Sequence, residues 1–290
     1  MEQVRQWKLS TMMVIAMITW GLSWTNAKIL GTYADPPLIM FWRFVIASIC
    51  FFFIVVARES LKISTKVIPI IFINSIFMVL YNFFYFKGTQ IGFAGTGGVL
   101  VTTLNPILTS IFSSLFNYDT LPRKDWVGLF IGLLAGGIIL RIWDLNFLIF
   151  YNSGNFFFIM ASLSWVAVTI TTSKSKEKIS FSSYSFWTFL TSALISVAFI
   201  PKNSLVSIIT FDLLFWINLI ILSAFAMAFG TSIYFYASTK LGPKKASSYI
   251  FLVPFTAILF SMYFLDEPFQ LSNILGGGMG AFSVYLINNK

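Results

Sequence analysis

The sequence lacks histidine entirely and has a single cysteine, Cys50, within an apolar run. The missing histidine removes the commonest proton relay near neutral pH and the commonest metal ligand. One cysteine excludes an intramolecular disulfide and a cysteine metal cluster. The acidic residues fall in loops or at the ends of apolar runs, so no nucleophile or acid–base pair lies at depth. We therefore predict no metal site, no cofactor and no enzymatic activity.

Charge is also scarce, since only 10% of the residues are charged while 58% are hydrophobic. A soluble domain typically carries about 25% charged residues. Most of this chain must therefore contact lipid, and the bilayer is its predicted environment. The net charge of +9 is attributed to loops on the cytoplasmic side. Nucleic acid is not a predicted partner.

Long apolar runs, in contrast, fill the chain. A helix needs roughly 20 apolar residues to cross a bilayer, and short polar linkers separate the runs. The sequence predicts an all-α integral membrane protein with ten transmembrane helices. The runs lie at roughly 9–29, 37–57, 67–86, 95–116, 126–142, 153–172, 183–200, 213–237, 246–265 and 271–287.

Lysine and arginine are distributed unevenly between alternate loops. The N-terminus, the C-terminus and every second loop hold fourteen of them, whereas the other loops hold only Arg141 and Lys202. Cytoplasmic loops carry the excess of basic residues. We predict a multi-pass protein of the bacterial inner membrane with both termini in the cytoplasm.

The two halves of the chain repeat each other. The second copy follows the first by 148 residues near the end of each half and by 145 residues near its start. The equivalent pairs are Pro106 with Pro254, Asp119 with Glu267, Gly128 with Gly276, Gly132 with Gly280, Trp20 with Trp165, and Trp42 with Trp187.

Because each copy has an odd number of helices, five, the second copy enters the membrane from the opposite side. Residues 1–145 and 146–290 are thus predicted to form two inverted five-helix repeats around a central axis. The loop charges agree, because Arg123 and Lys124 follow Asp119, whereas no lysine or arginine follows Glu267 before the next run.

Several of these residues match a known pattern, and the chain resembles the drug/metabolite transporter superfamily, in particular its EamA-type transporters. The resemblance implies two five-helix units and a substrate among amino acids, other metabolites or nucleotide-like compounds. Asp119 departs from the glutamate usual in the family, and we expect this acid to act in capping or topology. The matching residues are Trp20-Gly21-x-x-Trp24, Phe41-x-Arg43, Pro106, Pro254 and Leu265-Asp266-Glu267-Pro268.

Arg43 is the most unusual residue of the apolar runs. It lies about six residues into the second run, roughly 9 Å from its start. A charge at that depth is costly unless it is paired or faces water. Arg43 is a candidate anchor for a substrate carboxylate or phosphate, and the alternatives are snorkelling and bonds to backbone carbonyls.

Pro106 and Pro254 occupy the middle of the fourth and ninth runs. Proline removes a backbone donor and displaces the carbonyl four residues earlier. Paired breaks at equivalent positions point to a midplane binding site, where Asn105 adds an amide. A simple packing kink at each proline is the alternative interpretation. We assign both prolines to hinges or gates.

Aromatic and polar residues complete the predicted substrate site. Trp20 and Trp24 share a helix face, and Trp165 is the repeat partner of Trp20. Interfacial tryptophan is the alternative interpretation. The further candidates, each needing a polar partner or water, are Tyr81, Asn82, Tyr234 and Tyr249.

Glycines mark the fifth and tenth runs, as in Gly128-x-x-x-Gly132 and Gly276-x-x-x-Gly280. Small residues let helices approach closely. They predict packing seams, either between the halves or in a homodimer.

Taken together, these features predict a secondary transporter of a small organic metabolite, either an amino acid or a related compound bearing a carboxylate or phosphate. It would work by alternating access as an exporter or an exchanger. The alternative is a membrane protein that is not a transporter of this kind, namely a channel or an assembly factor.

Overall fold

A computed structural model of the protein describes residues 2–58, 63–117, 123–144, 146–175, 179–201 and 204–288. Within these ranges the chain is helical and contains no strand. The α-helices are α1 (Glu2–Leu30), α2 (Pro36–Arg58), α3 (Ile68–Ile91), α4 (Ala94–Asn117), α5 (Arg123–Leu140), α6 (Phe147–Asn152), α7 (Asn155–Ser173), α8 (Phe181–Val197), α9 (Leu213–Ile220), α10 (Ser232–Leu241), α11 (Pro243–Ser248), α12 (Val253–Leu265) and α13 (Leu271–Asn288).

Two of the long helical segments are not regular. A π-helical segment, Ile221–Thr231, joins α9 to α10, and a 3-10 turn, Tyr249–Leu252, joins α11 to α12. Pro106 lies inside the continuous helix α4, whereas Pro254 lies in the first turn of α12, directly after the 3-10 turn. A first-turn proline is tolerated because its missing N–H has no helical partner there.

Each predicted apolar run overlaps helical structure in the described residues. Six segments are both long and apolar enough to cross a bilayer, and the count of ten crossings stays a prediction. The six are Pro36–Ala57, Ile68–Ile91, Ala94–Leu115, Asn155–Ser173, Leu213–Leu241 and Lys245–Leu265.

The surface and interior are those of a protein surrounded by lipid. Large apolar side chains such as Phe53, Leu194 and Phe255 point outward. The interior holds many small polar residues, mostly serine and threonine, alongside the aromatic core. Because lipid tails are as apolar as leucine, helices in a membrane associate through close packing and polar contacts rather than by burying their apolar faces.

The predicted glycine seams lie within the chain, where α5 packs against α13 and α4. Space for a Cβ is lacking at Gly132, which abuts Ile107 and Ser283, and at Gly280, which abuts Thr103. The Ser283 hydroxyl also donates a hydrogen bond of 2.5 Å to the carbonyl of Gly128. These contacts account for the glycines inside one chain, and a homodimer stays a prediction.

We expect Gly276→Ala to lower the melting temperature of the purified protein. Its Cβ would lie 2.4 Å from Cγ1 of Ile139 and 2.8 Å from the backbone oxygen of Ala135, so α5 and α13 must separate. Overpacking of this kind costs about 1–3 kcal/mol. Gly278→Ala is the matched control, because nothing lies within 4 Å of its Cβ position. Equal melting temperatures for the two variants would contradict this seam.

Candidate functional site

Helices α1, α2, α3, α4, α7 and the π-helical segment surround a small cavity near the centre of the bundle. Its volume is about 20 Å³, close to the space that one water molecule needs. Six residues predicted from the sequence line it: Trp20, Trp24, Arg43, Tyr81, Asn105 and Trp165.

Arg43 lies at this cavity and is only 4% exposed. Its Nη1 donates a hydrogen bond of 2.7 Å to Oδ1 of Asn82, whose Nδ2 in turn donates to the carbonyl of Met78 at 2.8 Å. The guanidinium also lies 5.5 Å from the ring centre of Tyr85. An amide and an aromatic face hold the cation in place, but neither neutralises its charge.

The guanidinium keeps further hydrogen-bonding capacity. Nε of Arg43 has no hydrogen-bond partner among the described residues. No carboxylate of these residues faces it either, since the ionisable side chains that act on it are Tyr85 and Tyr81. The cavity therefore contains a buried, unneutralised cation with a free donor.

Aromatic rings form much of the cavity wall. Trp20 meets Trp165 edge-on with ring centres 5.0 Å apart, and Tyr81 lies 4.6 Å from Trp165. Trp24 packs against Tyr85 at 4.6 Å. Nε1 of Trp20 donates a hydrogen bond of 2.9 Å to the carbonyl of Ala226. All three tryptophans thus pack inside the bundle, Trp24 and Trp165 buried and Trp20 partly buried, and their depth in the bilayer stays a prediction.

Asn105 and Pro106 connect α4 to this site. The Asn105 side-chain amide and the Ser162 hydroxyl of α7 are 2.7 Å apart. One turn before Pro106, the Thr102 hydroxyl donates to the carbonyl of Gly98. A polar bridge therefore joins α4 to α7 beside the proline.

Three predicted site residues do not line the cavity. Asn82 lies behind Arg43 and orients it. Tyr234 packs behind Trp20 and shares a hydrogen bond of 3.0 Å with Thr169. Tyr249 lies elsewhere, where its hydroxyl is 2.8 Å from that of Ser10.

The structure adds lining residues that sequence reasoning missed, namely Ser23, Val101, Thr102, Met227 and Thr231. Met227 and Thr231 belong to the π-helical segment, whose geometry no sequence pattern predicted. The one sequence signal for a close contact of this segment was Gly230, where a Cβ would lie 2.8 Å from Nε1 of Trp20. Glycine permits this close approach of the segment to the tryptophan.

Glu267 acts at one end of the bundle, away from the cavity. Its two carboxylate oxygens accept hydrogen bonds from the backbone N–H groups of Ala94 at 2.6 Å and Gly95 at 2.8 Å. A carboxylate is favourable there because the first N–H groups of a helix lack partners and carry partial positive charge. Glu267 thus caps the start of α4. The capping or topology role was expected for its repeat partner Asp119, which lies outside the described residues, so that expectation stays a prediction.

We expect Glu267→Gln to lower the melting temperature, because one oxygen that accepts from the start of α4 becomes an N–H₂ group. Hydrogen bonds to charged groups contribute about 1.5–3 kcal/mol, and partial exposure reduces that figure here. The neighbouring exposed acid provides the control, Asp266→Asn. A melting temperature equally unaffected by both substitutions would show that the cap contributes nothing.

Comparison with known proteins decides the family. The model of the EamA-like transporter family matches residues 7–141 and again residues 152–289. The chain belongs to the EamA-like transporter family. It is accordingly a multi-pass membrane transporter and not an enzyme, which implies a lipid bilayer around it and a small-molecule substrate.

Relatives in this family span the whole chain. An uncharacterized transporter of Archaeoglobus fulgidus is 25% identical over 284 residues, covering 96% of this chain and 98% of that protein. The uncharacterized transporter YvbV of Bacillus subtilis is 24% identical and covers 100% of this chain and 94% of its own. A solved crystal structure with 16% identity matches with a TM-score of 0.68, over 97% of both chains, and supports the fold alone.

Proposed function

We propose that this protein is a secondary transporter of a small organic anion, an amino acid or a related metabolite that bears a carboxylate or phosphate. One observation carries the proposal: Arg43 is buried at a central cavity without a carboxylate from the described residues. A buried cation without a counter-ion is costly. A bound substrate anion would supply that counter-ion during transport.

The chemistry of the walls fits such a substrate. A guanidinium presents donors in a fork that matches a carboxylate or phosphate. The rings of Trp20, Trp165 and Tyr81 offer an apolar surface for the organic part of the molecule. Asn105 and Thr231 add polar groups at two further edges. Few polar groups in a mainly apolar lining are typical of small-molecule sites.

The small volume indicates that the cavity is closed in this conformation. A space of about 20 Å³ admits a water but not a metabolite. Loading would require the walls to separate, and Pro106 and Pro254 are the proposed hinges. Alternating access is therefore the mechanism that we assign to the protein.

The packing of the helices supports two inverted halves, residues 1–145 and 146–290. Helix α2 packs against α8, α4 against α12, and α5 against α13. Each of these pairs joins proposed equivalent helices. The α3–α7 contact likewise has a proposed counterpart between α1 and the π-helical segment.

Polar contacts tie the proposed halves together at the Glu267 end. Nδ2 of Asn26 donates to Oδ1 of Asn218 at 2.6 Å, and the Tyr33 hydroxyl donates to Oδ2 of Asp212 at 2.9 Å. The latter bond raises the pKa of Tyr33 by favouring its protonated form. With the Glu267 cap, these contacts form a proposed gate that is shut here.

We place both termini in the cytoplasm of a bacterial cell, which makes the Glu267 end external. We propose that transport proceeds by exchange or facilitated passage and not by proton coupling, because the acids fall in loops and at helix ends in the sequence. Proton flux tied stoichiometrically to substrate movement would refute this proposal about the energy source.

A thermal-shift screen tests the substrate class. Purified protein is mixed with a library of carboxylates, phosphates, neutral metabolites and amines, and is compared with Arg43→Ala. We expect stabilisation by members of the first two classes and its loss in the variant. Stabilisation by amines or neutral compounds that the variant retains would refute an anion site at Arg43.

A further inference from the structure

A second and much larger cavity, of about 550 Å³, lies where α5 ends and the chain passes through α6 to α7. Part of its lining is apolar, with Phe93, Leu140 and Phe150. The rest is polar, with Arg141 and Asn155 among its residues. The cavity is therefore amphipathic, and its volume suits a small-molecule ligand or a lipid headgroup.

This cavity is separate from the central one. The two cavities share no lining residue, and Val99 of α4 and Phe158 of α7 are fully buried. Packing is tight there, because a Cβ at Gly97 would lie 2.5 Å from the Phe158 ring and 2.9 Å from that of Trp24. Occupation of the larger cavity thus does not require that the proposed substrate site be loaded.

Asn155 supplies the observation that points to a ligand. It is 9% exposed, it lines the cavity, and its Oδ1 has no hydrogen-bond partner among the described residues. Buried polar atoms are nearly always satisfied, and an amide oxygen can only accept. The missing partner must be a donor, and a ligand in the cavity can provide it.

The surroundings of the cavity indicate which kind of ligand reaches it. The segment between α5 and α7 exposes Trp143, Leu148 and Tyr151. Tryptophan and tyrosine concentrate at the level of lipid headgroups, and basic residues in that zone attract lipid phosphates. Arg141, the residue directly after α5, lines the cavity. The cavity therefore combines a cation, a buried acceptor and apolar walls at the edge of the bilayer.

We propose that this cavity binds the headgroup of a phospholipid. The phosphate would lie by Arg141, a headgroup amine or hydroxyl would donate to Oδ1 of Asn155, and the upper acyl chain would follow Phe93, Leu140 and Phe150. The geometry selects among lipids: phosphatidylethanolamine and phosphatidylglycerol carry a donor beyond the phosphate, whereas phosphatidylcholine carries none. This site rests on the membrane location of the protein and is independent of the proposed substrate.

The test compares three lipids on delipidated protein in detergent. Phosphatidylethanolamine, phosphatidylglycerol and phosphatidylcholine with identical acyl chains are added, and native mass spectrometry and melting temperature report binding. We expect about tenfold more bound ethanolamine or glycerol lipid than choline lipid, the effect of one hydrogen bond to a buried acceptor. Equal binding of the three lipids would overturn the proposal.

Variants assign the preference to Asn155. Asn155→Leu should erase it, whereas Asn152→Leu, an exposed asparagine three residues away, should keep it. Asn155→Asp should retain the cationic ethanolamine headgroup and weaken the anionic glycerol lipid. If Asn155→Leu does not fold, the result for Asn155→Asp decides alone. A preference that survives in Asn155→Leu, or unchanged binding of both lipids in Asn155→Asp, would refute the site.

A last arm separates a lipid from a free phosphate compound. Phosphoethanolamine and glycerol phosphate offer the same donor and phosphate without acyl chains. We expect neither to displace the bound lipid at matched concentration, because the apolar walls would contribute nothing to their binding. Displacement at equal concentration would show a site for soluble phosphate compounds and would overturn the assignment to lipid.

Discussion

Replacing Arg43 by glutamine should reduce the apparent affinity for an anionic substrate by about 30-fold or more. Truncating one partner of a buried charge pair typically costs about 2–5 kcal/mol. Glutamine retains hydrogen-bonding groups but is shorter than arginine and removes the charge. The measurement is uptake of the best ligand from the thermal-shift screen into liposomes that contain purified protein.

Two further variants make this result specific. Arg43→Lys keeps the charge but loses the planar fork, so we expect an intermediate affinity. Lys87→Gln removes a positive charge whose Nζ bonds to Oε1 of Gln90 at 3.3 Å, away from the central cavity. It should transport like the unmodified protein. If Arg43→Gln did so as well, Arg43 would serve packing through Asn82 and not the substrate.

Cross-linking the two halves at the proposed gate should stop transport. In a Cys50→Ser background, Asn26→Cys and Asn218→Cys replace two side chains whose amide atoms are 2.6 Å apart on α1 and α9. A short bifunctional thiol reagent with a cleavable disulfide would hold this end shut. We expect near-complete loss of transport and its recovery on reduction, since alternating access requires both ends to open in turn.

The control for this experiment is a pair within one helix. Lys87→Cys and Gln90→Cys are three residues apart on α3, so their cross-link does not join the halves. Transport should survive it. Undiminished transport by the cross-linked gate pair would contradict the opening of the bundle at this end.

The helices themselves were largely predictable from the sequence, because their ends carry local signals. Helix α2 begins at Pro36, one residue from the predicted run, and α12 ends at Leu265, as expected. Helix α6 was missed because six residues are too few to show a period. The π-helical segment was missed for a different reason: its register depends on contacts such as that between Ala226 and Trp20.

The candidate site was predictable in its members but not in their partners. Arg43 and the tryptophans stand out because polar and large residues are conspicuous inside apolar runs. That Asn82 bonds to Arg43 depends on how α2 and α3 are rotated against each other, which composition does not record. Tyr249 shows the converse, since a polar tip within an apolar run finds its partner in Ser10, away from the cavity.

The most direct test of a carrier is counterflow. Liposomes containing the purified protein are loaded with an excess of unlabelled ligand and diluted into a trace of the labelled compound. An alternating-access carrier predicts transient, saturable accumulation of label above equilibrium, and its loss in Arg43→Gln. Label that equilibrates without overshoot and without saturation would indicate a channel and would contradict the proposed mechanism.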